Sequence, residues 1–143
     1  MKKTISFFLI TVLILFTVSC EREQSPAKLA ALEKYSAMTA DGTTSIEVVY
    51  DYIEGEFTTY EFVIEDREVI EKIMAEVFDM ELKDYPQDQD IDFYQRWITA
   101  KQGDNKYHIS LAYTSDENGN KYLCQSQKVC DIIEKYIEDN LMH

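Results

Sequence analysis

Chemistry at a protein site begins with carboxylates, imidazoles, thiols and hydroxyls brought together, and this chain offers few such groupings. Asp88-x-Asp90-x-Asp92, preceded by Asp84, opens like a calcium-binding loop, in which alternate carboxylates converge on one hard cation. The match stops at the sixth position, Phe93 where the loop needs Gly, and at the twelfth, Thr99 where it needs a bidentate Glu. Asp116-x-Asn118-x-Asn120 fails in the same way at Lys121 and Gln127. Both segments therefore read as solvated acidic loops. The two histidines are His108, which alternates away from the apolar side of its segment, and His143, the last residue. Neither belongs to an H-x-x-H ligand pair or to a nucleophile–base arrangement. Four glycines leave no phosphate-cradling loop. No catalytic residue, metal-ligand set or cofactor is assigned on these grounds.

The most specific signal lies at the N-terminus. Lys2 and Lys3 precede an apolar stretch at 5–18, interrupted by Ser and Thr alone. A spanning helix needs roughly 20 apolar residues, so this stretch fits the central region of a secretory signal instead. It runs directly into Thr17-Val18-Ser19-Cys20. Here the sequence resembles a bacterial lipoprotein signal, with Ser19 and Val18 in the small and aliphatic positions and Thr17 where that family usually has Leu. The resemblance implies that Cys20 is diacylated, that the chain is cut before it and that the new N-terminus is acylated. It also implies an extracytoplasmic protein held on the cell membrane or the outer membrane. Other readings of the same stretch are an ordinary secretory peptide with an incidental Cys and a short uncleaved anchor. With Cys20 acylated, Cys124 and Cys130 remain as an even pair in an exported chain, where disulfides persist. Two outcomes stay open for them: a bridge, which needs their Cα atoms within about 7 Å, or two small apolar core thiols.

The chain of 143 residues carries 14 Lys plus Arg against 27 Asp plus Glu, a formal charge of −13, and loss of residues 1–19 with Lys2 and Lys3 makes it −15. Such a surface repels nucleic acid and anionic headgroups, so membrane association falls to the acyl chains on Cys20, at about 0.8 kcal/mol per buried CH₂. A protein partner, if there is one, is expected to be basic.

Residues 1–19 form the expected signal peptide. Residues 20–44 form a polar tether, within which 27–38 has the composition of a short helix behind Ser25-Pro26. A single folded domain is expected over 45–143. Ile46, Val48, Tyr50 and Tyr52 alternate with Glu47, Val49 and Asp51, Glu54-Gly55 reads as a tight turn, and Tyr60, Phe62 and Ile64 mark the return strand. Asp66 is placed to cap a helix carrying Val69, Ile70, Ile73, Met74, Val77 and Phe78 at helical spacing. After a polar loop at 82–92, strands are expected at 93–100, 106–114 and 121–125, with Gln102-Gly103-Asp104-Asn105 and Asn118-Gly119 at the turns. Ser126 is read as the cap of a last helix bearing Val129, Ile132, Ile133, Tyr136, Ile137 and Leu141.

The order β-β-α-β-β-β-α, with hairpins and no regular β-α-β alternation, gives an α+β class: a two-layer sandwich with a mostly antiparallel sheet of about five strands and two helices on one face. Ten tyrosines fall largely on the strands, and two helices cover one face, so part of this aromatic surface is left for binding. The functional expectation is a membrane-tethered, non-enzymatic binding module. The alternatives are an acidic inhibitor of a basic envelope-active enzyme and, behind it, a hydrolase.

Overall fold

The computed structural model describes residues 35–54, 56–86, 94–116 and 118–142. The apolar stretch at 5–18, Cys20, most of the helix expected at 27–38, Gly55, Asp88, Asp90, Asp92 and His143 lie outside the described residues. In chain order the elements are β1 (Ser45–Glu54), β2 (Glu56–Ile64), α1 (Arg67–Phe78), β3 (Glu81–Asp84), β4 (Arg96–Gln102), β5 (Asn105–Ser110), β6 (Tyr113–Ser115), β7 (Lys121–Gln125) and α2 (Gln127–Asn140). Every strand pairing among the described residues is antiparallel, and the class is α+β. No helix among the described residues is long and apolar enough to cross a membrane.

Period-two patterning builds the larger sheet, in the order β2-β1-β4-β5. Its cross-strand register puts Val48 opposite both Phe62 and Ile98, and Ile98 opposite Ile109. Side chains of paired residues share a face. Ile46, Val48, Tyr50, Ile64, Ile98, Ala100 and Ile109 therefore form one buried face, packed in a single cluster with Ile70, Ile73 and Met74 of α1 and Val129, Ile133 and Ile137 of α2. Asp66 caps α1, its Oδ1 accepting from the Val69 amide at 3.0 Å. Ser126 stands at the N-cap of α2, its carbonyl accepting from the Cys130 amide at 2.9 Å, but its hydroxyl donates to the Leu111 carbonyl instead of accepting from a helix amide, so it ties the helix start to the turn after β5.

A second sheet, ordered β3-β7-β6, replaces the single five-stranded layer expected from sequence. Two local features account for it. The strand expected at 106–114 breaks after Ser110, where Ser110 Oγ accepts from the Ala112 and Tyr113 amides at 3.3 Å each and satisfies the donors freed by the bend. The chain then enters the other sheet as β6. The expected polar loop also begins as a strand, β3, which pairs Leu82 with Cys124. Four residues with one half-buried side chain carry no readable alternation, and their strand identity comes from a partner forty residues on in the chain.

The packed domain starts before the expected boundary at Ser45. Met38 and Thr43 are buried, the Tyr35 hydroxyl donates to the His108 carbonyl at 3.1 Å, and the Thr44 amide donates to Lys101 O at 2.8 Å. Gln102 clasps this segment: its Nε2 donates to Ala37 O at 3.0 Å and its Oε1 accepts from the Thr39 amide at 2.9 Å. A Cβ on Gly42 would stand 2.7 Å from the Gln102 side chain, which explains a glycine at that approach. The β4–β5 hairpin closes through Gly103 with φ of 58° at the first of two central positions, as a type II′ turn requires.

Candidate binding groove

Arg96, the first residue of β4, falls on the same side of its strand as Ile98 and Ala100, so a guanidinium enters the apolar layer at its end. Three neighbours hold it. Its Nε donates to Asp51 O at 3.2 Å, and its plane lies over the Tyr50 ring at 4.6 Å and the Tyr94 ring at 5.3 Å from the centroids. Asp51 is itself buried, its carboxylate accepting from Thr59 Oγ1 at 2.7 Å and from the Gln95 amide. Tyr50 is fully buried and donates to Glu134 Oε1 of α2 at 2.5 Å. Burial first, and then that carboxylate, push its phenol far above its ordinary value, so Tyr50 keeps its proton and remains a donor. The chain of contacts from Glu134 through Tyr50, Arg96 and Asp51 to Thr59 ties the start of β4 to β1, β2 and α2.

Two hollows share this arginine in their linings. One, of about 460 Å³, is lined by Tyr35, Tyr94, Arg96, Trp97, His108 and Tyr113 among others. Trp97 and His108 stand on the face of the larger sheet that the helices leave open, their rings 5.9 Å apart, and the His108 Nδ1 lies 3.3 Å from Thr99 Oγ1. The other hollow, of about 530 Å³, lies between the end of α1 and the start of α2 and contains Cys124, Ser126 and Cys130. No disulfide joins the two cysteines. Both are buried, and the Cys130 sulfur sits 3.7 Å from Ser126 Oγ. Of the two outcomes left open by the sequence, this structure has the core thiols and not the bridge.

The expected site residues separate clearly. Asp116 spends its carboxylate inside its own turn: Oδ1 accepts from the Asn118 and Asn120 amides, at 2.9 Å each, and Oδ2 from Asn120 Nδ2 and the Tyr122 hydroxyl. The Asn120 side chain, foremost among these donors, holds the Asp116 carboxyl below its ordinary range. The D-x-N-x-N spacing thus encodes a turn, with Gly119 at φ of 83°. Of the aromatic residues, Tyr50, Tyr60, Phe62 and Tyr107 pack into or against the core, Phe62 stacking on Tyr136 at 5.4 Å. Phe57, Trp97, Tyr94 and Tyr113 fall on the open side, where Phe57 meets Tyr94 at 6.3 Å. Arg96 was missed in the sequence. Its signal was a cation at an apolar-phase position, flanked by Tyr94 and Trp97.

Such an arrangement can hold a ligand by stacking and hydrogen bonding, the Arg96 guanidinium being itself taken up by the Tyr50 and Tyr94 rings and Asp51 O. Comparison of the chain with protein-family models, curated proteins and solved structures finds no match.

Proposed function

We propose that this protein is a membrane-tethered, extracytoplasmic lipoprotein whose α+β domain is a non-enzymatic binding module for a basic protein partner. The observation that carries the reading is the aromatic groove around Trp97, His108, Tyr94 and Tyr113, on a sheet face that neither helix covers. Aromatic side chains on rigid strands give large contact area at low entropic cost, as interface anchors do. Anchoring rests on Cys20 and the segment before it, and the expectation of a basic partner rests on the charge of −13. A sharper form of the same reading is an inhibitor-like role, in which the acidic domain occupies a basic envelope-active enzyme; the acidity favours it.

The test is affinity capture from envelope extract on the full chain, run beside the double variant Trp97→Ala, Tyr113→Ala. A specific protein held by the wild type and lost from the variant, at unchanged melting temperature, is the expected result. Equal capture by both would remove the groove from the account.

A further inference from the structure

The longest unprotected strand edge in the described structure belongs to β2. Among the described residues it pairs with β1 alone, in an unbroken register from Ile46 opposite Ile64 to Ile53 opposite Phe57. Which backbone groups it presents follows from one bond. The Asp51 amide donates to Gln95 O on the β4 side, so odd-numbered residues of β1 are bonded toward β4 and even-numbered ones toward β2. On β2 the even-numbered residues consequently answer β1. The N–H and C=O groups of Phe57, Thr59, Glu61 and Val63 point off the edge. Their side chains share the open face, where Phe57 is 60% and Val63 49% exposed.

Proteins usually blunt such an edge with lysine, proline or a bulge. β2 has none of these; its charged residues are Glu56 and Glu61, and Glu65 and Asp66 follow it. By contrast, β5 has its outward His108 carbonyl occupied by Tyr35, and β3 and β6 are short. The geometry points to β2 as a docking edge for an extended segment of a basic protein, added as a further antiparallel strand with a Lys or Arg opposite Glu61 and apolar residues opposite Phe57 and Val63. Charge selects this occupant. A second copy of a chain at −13 brings the same acidic edge, whereas a basic strand neutralises Glu61 while its backbone completes the ladder. The edge adjoins the aromatic groove where Phe57 meets Tyr94 at 6.3 Å, but its backbone groups do not depend on Trp97 or Tyr113.

Amide hydrogen exchange followed by NMR on the full chain in detergent tests this. The probe is a capped nine-residue peptide in which Thr alternates with Phe, Lys, Thr and Val, in that order, with a control peptide carrying Glu for Lys. With the Lys peptide, the amides of Phe57, Thr59, Glu61 and Val63 should slow while those of Thr58, Tyr60 and Phe62 stay unchanged. Glu61→Lys, at an exposed position, should weaken the Lys peptide about fivefold and favour the Glu peptide. Trp97→Ala should leave both results as they are, so a failed groove does not register as a failed edge. The proposal is overturned by equal binding of the two peptides, by protection without the odd-numbered alternation, or by protection that rises with protein concentration when no peptide is present, which would make a second copy the occupant.

Discussion

At the scale of single residues, burial decides what each side chain contributes. Ile73 and Ile133 have no exposed surface and meet in one cluster, so truncating either to Ala should cost about 2–5 kcal/mol in denaturant unfolding. Glu71 is exposed and paired with Arg67 at 2.8 Å across one helical turn, and Glu71→Gln should change stability by less than about 1 kcal/mol. An Ile73→Ala protein as stable as the wild type would contradict the core assignment. Asp116 gives a pH prediction of definite sign. Its folded pKa is depressed, so the turn it closes is stabilised above the ordinary value of 3.8 and loses that stabilisation as the pH falls through the lower folded value. The Asn118 and Asn120 amide signals should titrate with a midpoint below 3.8; a midpoint at or above it would show that the carboxylate is not the hub of the turn.

At the scale of elements, the helices and hairpins were readable because period and cap chemistry agree locally. Ile70, Ile73, Met74 and Val77 lie on the buried face that their spacing indicates, and Asp66 caps where its position says. What was not readable depends on distant partners. β3 is a strand because β7 lies beside it, the break after Ser110 depends on a hydroxyl bonding two amides, and the Ser126 hydroxyl is taken by Leu111 O instead of a helix amide. The candidate groove was half legible. Phe57 and Trp97 follow from strand parity, but Tyr94 and Tyr113 sit at the apolar phase of their segments, and Arg96 acquires its role only when Tyr50, Tyr94 and Asp51 converge on it. The segment over 35–44 belongs to the same class of omission, since polar composition suggested a tether while Gln102 and Met38 fasten it to the domain. Gln102→Ala should lower stability by about 1–2 kcal/mol and speed hydrogen exchange within 37–44 while leaving the β1–β4 ladder protected. Uniform loss of protection across the sheet would show that the clasp is part of the global unfolding unit.

At the scale of the whole molecule, the proposed function joins an expected lipid anchor on Cys20, an acidic chain and a candidate binding groove. Replacing Cys20 by Ser should either release the protein from membranes or leave uncleaved precursor, read by fractionation and mass spectrometry of the N-terminal peptide. An unmodified Cys20 on the mature wild type would contradict the anchoring. The binding claim is tested most directly by the kinetics of the captured partner on the full chain across a salt series. Exposed charges more than about 8 Å apart are screened at physiological salt, so steering by the acidic domain should appear in the association rate. The account predicts a basic partner whose association slows steeply with salt, whose dissociation changes little, and whose binding is lost in the Trp97→Ala, Tyr113→Ala variant. A partner with an acidic surface, associating at a salt-independent rate and indifferent to that variant, would contradict it.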